Sequence, residues 1–309
     1  MKKIWLSLKP YLRWVILGGT LFFLVKAFKD NWQDVTAIRI DATGWITLLI
    51  ALSITLLAHV WAGLVWGWIL HSFKQPIHYR WVLPVYLKTN IAKYIPGNVW
   101  HYYGRIWAVT KAGGSLGAAT ISVLLEPLLM ATAALLVALI GSTFGWVDTS
   151  GNPKSWGMQI LSLGIVCLAV HPRVLNPVLQ RLSRLKGKAS TTEVFQLESY
   201  PFVPLLGELG FLGLRGTGFV ATFIALTPVN NSQILLLFTA FSMAWVLGLI
   251  IPTPGGLGVF ETTAIALLNS HFSSGVILSV VALFRVVSIL AEVIGAGIGA
   301  LCDRVSQIG

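Results

Sequence analysis

Acidic side chains are the scarcest chemistry in this 309-residue chain, 11 Asp and Glu against 22 Lys and Arg. Charged residues of both signs make up only 11%, where a soluble domain carries about 25%. With 56% hydrophobic residues and a mean hydropathy of +0.79, that shortage excludes an ordinary soluble domain and points to an integral membrane protein. Cysteine is nearly missing. Cys167 and Cys302 both lie in apolar segments, which excludes a disulfide framework and offers no metal-ligand spacing. The six histidines are scattered, with no H-E-x-x-H and no paired metal ligands. The reading is therefore of a protein that is not an enzyme and needs no cofactor or metal. The formal charge of +11 is read as basic cytoplasmic loops rather than as a nucleic-acid surface.

What is present is a series of apolar runs. About 20 apolar residues cross a bilayer as a helix. Candidates are Tyr11–Val25, Trp45–Leu70, Ser115–Ile140, a short Trp156–Val170, Val203–Leu226, Ile234–Ile251, a half-length Val259–Leu268 and Val276–Leu301. Trp61, Trp66 and Trp68 read as an aromatic belt near one end of the second span. Lys2, Lys3 and Lys9 before the first run imitate a signal peptide, but no small-residue cleavage pattern follows, so a retained anchor is expected. Lys74, Arg80, Lys88, Lys93, Arg105 and Lys111 fall between the second and third spans; Arg173, Arg181, Arg184, Lys186 and Lys188 fall between the fourth and fifth. By the positive-inside rule these loops and the N-terminus lie in the cytoplasm, in a multi-pass protein of the inner (plasma) membrane.

The most unusual stretch is P-T-P-G-G-L-G-V-F-E at Pro252–Glu261, which breaks one apolar helix and restarts another with a carboxylate in its first turn. Irregular backbone at membrane depth is tolerated where protein or a wet cavity satisfies it, as at the broken helices of transporters. A second break, I-P-G-N at Ile95–Asn98, interrupts the apolar and aromatic stretch 81–107. Re-entrant elements are expected near 81–107 and 252–270. Pro96-Gly97 is followed about 30 residues later by Glu126, and Pro254-Gly255 at nearly the same distance by Arg285. An inverted repeat generates such an echo, and so does chance.

Glu126, Glu208, Glu261 and Glu292 fall in or against apolar segments, with Arg215 and Arg285 as the matching cations. Intramembrane charges are costly and face a partner or a wet interior. Arg285 and Glu292, and likewise Glu208 and Arg215, stand seven residues apart, on one helix face but out of reach, so partners must come from other helices. For Glu208, Arg215 and Glu292, ion pairs that fix helix register and a functional role weigh equally. Function is favoured for Glu126, Glu261 and Arg285, each linked to a break. Gly207, Gly210, Gly213 and Gly216 recur every third residue and read as a close helix contact. His59 reads as a bonded structural residue. Gly113-Gly114-Ser115-Leu116-Gly117 lacks the Lys and the strand of a nucleotide loop.

Together, P-T-P-G-G-L-G-V-F-E, the following helix with Arg285, K-Y-I-P-G-N-V-W-H-Y-Y-G-R at Lys93–Arg105 and L-L-E-P at Leu124–Pro127 resemble the flippase-like transmembrane domain of lysylphosphatidylglycerol synthases. The likeness is to stand-alone members without the soluble aminoacyl-transferase domain. Trp100 stands where that family more usually has glycine, Arg105 lies one position late, and Pro127 replaces a frequent arginine. The resemblance implies an all-α polytopic membrane protein of about seven or eight transmembrane or re-entrant helices in one domain, 1–309. It also implies movement of a polar-headed lipid between leaflets: a phospholipid, an aminoacylated phosphatidylglycerol or a polyprenyl-linked lipid. By position, Pro96, Gly97 and Arg105 would form the first element and Pro254, Gly255, Gly256, Gly258 and Glu261 the second, with Glu126 and Arg285 as helix-borne charges. Membrane lipids are the expected partners. A second copy of the chain or a membrane enzyme is left open as a protein partner. The alternative is a non-transporting accessory subunit of a membrane glycosyltransferase or lipid-modifying enzyme.

Overall fold

The computed structural model describes residues 29, 39–75, 77–94, 99–146, 153–177, 197–251 and 258–308. The predicted span Tyr11–Val25, and Pro96, Gly97, Pro254, Gly255 and Gly256, lie outside the described residues. Long apolar runs in lipid must satisfy their own backbone hydrogen bonds, which a helix does within one segment. The elements are α1 (Ala42–Ser72), α2 (Tyr79–Asn90), a 3-10 turn (Ile91–Tyr94), α3 (Trp100–Lys111), α4 (Leu116–Thr143), α5 (Pro153–Val170), α6 (Phe202–Leu226), α7 (Asn231–Ile250), α8 (Val259–Leu268) and α9 (Ser274–Ile308). No strand occurs among the described residues.

Five helices are long and apolar enough to cross a membrane: α1, α4, α6, α7 and Ser274–Asp303 of α9. The protein is thus an all-helical, multi-pass membrane protein. Length and composition support five crossings among the described residues, where the sequence reading expected seven or eight spanning or re-entrant helices. The shorter α2, α3 and α8 occupy the stretches on either side of the two breaks.

Local chemistry sets the helix starts. Asp41 accepts the Gly44 N–H at 2.7 Å and opens α1, three residues before the expected Trp45, because a side-chain cap satisfies an orphan amide. Ser115 Oγ accepts the Gly117 N–H at 3.1 Å at the start of α4, and Gln75 Oε1 accepts the Ser115 N–H at 2.8 Å. The letters of Gly113–Gly117 also satisfy the G-x-S-x-G pattern of serine hydrolases, which requires a strand-to-helix turn. Here the serine follows helix α3, and its hydroxyl is occupied as a cap.

Lipid offers no hydrophobic drive for helices to associate, so close packing of small residues must supply it. α6 packs most extensively against α1. A Cβ on Gly207 would meet Val65 at 2.6 Å and Trp68 at 2.7 Å, and one on Gly216 would meet Phe238 of α7 at 2.5 Å. Gly210 lies close to Trp61 in the same way, whereas Gly213 faces open space. Trp61 Nε1 also donates to Gly207 O at 2.8 Å. Trp66 is fully buried and donates to Ser122 Oγ at 3.1 Å; this corrects its reading as part of an interfacial belt. Farther along the bundle, Phe219 packs on Phe241, Phe260 and Phe284 with ring centroids 5.3–5.9 Å apart, tying α6, α7, α8 and α9 together. α9 then runs along α2 and α1, which brings its polar face to the first break.

Candidate functional site

The turn and helices around the first break carry their polar side chains inward. Arg105 of α3 is 2% exposed. Its Nη1 donates to Glu126 Oε2 of α4 at 2.5 Å, and Tyr86 of α2 donates its hydroxyl proton to Glu126 Oε1 at 2.6 Å. The guanidinium lies 3.8 Å from the Tyr86 ring centroid and 5.6 Å from that of Trp66, so the cation sits in an aromatic cradle with its charge met by one carboxylate. Glu126 precedes Pro127 within α4. Proline cannot donate to the carbonyl four residues earlier, so the helix ladder is interrupted beside the carboxylate.

A second pair lies at the 3-10 turn. Lys93 Nζ donates to Glu292 Oε1 of α9 at 2.5 Å, and His59 Nε2 of α1 lies 3.2 Å from the same oxygen. Asn90 stands between the two pairs: Arg105 Nη2 donates to its Oδ1 at 3.5 Å, and its Nδ2 lies 3.5 Å from His59 Nδ1. Polar atoms thus follow one another from Glu126 through Arg105, Asn90 and His59 to Glu292 and Lys93.

The third pair adjoins the second break. Arg285 Nε of α9 donates to Glu261 Oε1 of α8 at 2.8 Å. Glu261 Oε2 accepts the Gly258 N–H at 2.7 Å, and Gly258 has φ +82°, a conformation glycine adopts without steric cost. One carboxylate therefore both closes the start of α8 and holds the arginine. Between this pair and Glu292, Arg215 Nη1 of α6 donates to Ser288 Oγ at 3.1 Å. Arg285, Ser288 and Glu292 recur at helix spacing, so α9 presents a polar stripe to the bundle.

Of the candidates read from sequence, Arg105 meets Glu126, and Gly258 and Arg285 meet Glu261. The expectation that Arg285 and Glu292 find partners on other elements fits this arrangement. For Glu208 and Arg215 it fails among the described residues: neither has an opposite charge within 4.0 Å. Glu208 is fully buried with both carboxyl oxygens without a hydrogen-bond partner. Lys93 and Arg105 were counted as loop cations, yet each is committed to a buried carboxylate. The loop keeps Lys74, Arg80 and Lys111 exposed, while Lys88 pairs with Asp303.

Sequence reasoning missed Lys93, Tyr86 and Asn90 as site residues; the one available signal was that Lys93 opens the K-Y-I-P-G-N motif. His101, on α3 outside the spanning helices, is pushed down to about 3 by burial and then by the Arg105 and Lys93 charges, so its imidazole is neutral at neutral pH. Trp100, Tyr103 and Trp107 are exposed. No cluster of three or more His, Cys, Asp or Glu able to hold a metal occurs among the described residues.

Three ion pairs inside a membrane domain stabilise it little over apolar packing. No curated protein matches the chain. The family model described as Lysylphosphatidylglycerol synthase TM region matches residues 12–295, from ahead of α1 into α9, so the chain belongs to that family.

Proposed function

We propose that this chain is a flippase-like transporter that moves a polar-headed lipid between the leaflets of the plasma membrane. The observation that carries the reading is the set of pairs Arg105–Glu126 and Arg285–Glu261, with Arg105 and Glu261 each following a proline-glycine motif in the sequence. Pro96-Gly97 and Pro254-Gly255-Gly256 would supply the re-entrant backbone, which is tolerated at membrane depth where it lines a site. Arginine matches phosphate oxygens with a planar fork of donors, so Arg105 and Arg285 would hold the head-group phosphate. Glu126 and Glu261 would hold a positive head group, or the arginines when the site is empty. Arg285 is the accessible one, its side chain 30% exposed against 2% for Arg105. Movement would be a rocking of the two halves about the breaks, with the basic loops on the cytoplasmic side.

The test is reconstitution into liposomes with fluorescent phosphatidylglycerol and other head groups, scoring inter-leaflet movement. The native chain is expected to accelerate it and Arg285→Ala, at equal incorporation, to abolish it. Unchanged movement with Arg285→Ala would refute the reading.

A further inference from the structure

Four glutamates lie in or against the apolar helices, and three of them meet a cation: Glu126 at Arg105, Glu261 at Arg285 and Glu292 at Lys93. Glu208 of α6 is the exception. Its exposure is 0%, and neither carboxyl oxygen has a hydrogen-bond partner. No Lys, Arg or His lies within 4.0 Å of it among the described residues. Arg215 shares its helix but stands seven residues on, about 10.5 Å of rise, and donates to Ser288. α6 packs against α1, α4, α7 and α9. Away from the helix ends, the titratable groups on those neighbours are His59 on α1, Glu126 on α4, and Arg285 and Glu292 on α9; α7 has none. Each is engaged elsewhere. Arg105 and Tyr86 hold Glu126, Glu261 holds Arg285, and His59 and Lys93 share one oxygen of Glu292.

An ionised carboxyl taken out of water without a partner costs far more than the neutral acid, which forfeits only ordinary hydrogen bonds. The other three carboxylates avoid that cost through a side-chain cation. Where no side chain reaches, the cation that fits is a proton. We propose that Glu208 is a proton-binding site, loaded in the packed bundle and emptied when the Phe202 end of α6 opens. The opening is the rocking of the lipid-carrier reading, on which this proposal rests. Glu208 lies six residues past Phe202, about 9 Å along the helix, so water at an opened end has a short way to reach it. Loading forms one O–H bond on a carboxylate oxygen, with the proton taken from hydronium or a buffer acid; release returns it to water. Close packing favours the acid and hydration favours the carboxylate, so proton binding and opening are linked and each shifts the other. Intramembrane carboxyls serve as proton relays in pumps and transporters. A register-fixing role would instead need a partner, and Glu208 has none among the described residues.

The experiment has two arms. The first is infrared spectroscopy of the purified full chain, isotope-labelled at the glutamate carboxyl carbon, at about pH 8, well above the titration of an exposed glutamate at about 4.3. The native chain is expected to show the carbonyl stretch of a protonated, unbonded carboxylic acid. Glu208→Gln, which keeps the shape and the neutral charge, is expected to lose it. Absence of that band from the native chain overturns the proposal even if Glu208→Gln does not fold, and so does its survival in Glu208→Gln. The second arm places the chain in liposomes with a pH difference of about one unit across the bilayer. It scores the steady-state distribution of fluorescent phosphatidylglycerol between leaflets against protein-free liposomes. One proton moved with each lipid shifts that ratio by about tenfold per pH unit. Glu208→Gln should reach the same ratio with and without the difference. A native ratio that ignores pH, or an equal shift in Glu208→Gln, overturns the link between this proton and opening. A native chain that shows the band but moves no lipid would refute transport and leave the proton site standing.

Discussion

Removing the charge of Glu126 isolates a buried arginine, and the cost can be worked from the surroundings. In Glu126→Gln the amide oxygen can still accept from Tyr86, whose hydroxyl is 2.6 Å away, so the change is almost purely electrostatic. Arg105, 2% exposed, loses the carboxylate at 2.5 Å. Breaking a buried pair by removing one partner costs about 3–5 kcal/mol. The Tyr86 and Trp66 faces remain and offset part of this, since a desolvated cation–π contact contributes about 2 kcal/mol. A destabilisation near the lower end, about 3 kcal/mol, is expected. Reversible unfolding in mixed micelles of detergent and dodecyl sulfate measures it. The double change Arg105→Met with Glu126→Met should recover most of the loss, to within about 1 kcal/mol of the native chain, because both buried charges go together. A single variant within about 0.5 kcal/mol of native, or a double variant worse than the single, would refute the reasoning.

Other expectations use the same unfolding measurement. Glu208→Met should raise stability by about 1 kcal/mol or more, since it removes a fully buried carboxyl with two unbonded oxygens and the cost of burying them; a loss of stability would mean that an unseen partner holds it. Gly207→Ala, meeting Val65 and Trp68 below 3.0 Å, should lose about 1–3 kcal/mol. Gly213→Ala, facing open space, should gain up to about 1 kcal/mol from helix propensity, and equal effects at the two positions would contradict the packing assigned to the glycine ladder. Lys74→Ala breaks an exposed pair with Glu198, so a change above about 1 kcal/mol would not be expected.

Much of the architecture was legible because bilayer chemistry is severe. Apolar runs of sufficient length can only become helices in lipid, so α4, α6, α7 and α8 begin and end within a few residues of the expected bounds. The breaks and the buried charges were legible for the same reason, since proline, glycine and carboxylates stand out against an apolar background. The identity of partners was not. Lys93 was read as a loop cation because charge near an apolar run has no address until a second helix approaches it. Trp66 was read as an interfacial aromatic because a tryptophan in a spanning helix looks alike from sequence whether it faces headgroups or Ser122.

The amino-acid sequence by itself determined that this chain belongs in a membrane, that helices end and restart on either side of two proline-glycine motifs, and that a handful of costly charges fall in its apolar segments. Composition and spacing suffice for that, because the free energy of placing a residue in hydrocarbon depends on the residue and its immediate neighbours. Only the tertiary structure decided which charges neutralise one another. Arg105 went to Glu126, Arg285 to Glu261 and Lys93 to Glu292, while Arg215 met the Ser288 hydroxyl. Ion pairing acts over a few ångströms between segments far apart in the chain, so it is set by helix packing and cannot be read before the helices are placed.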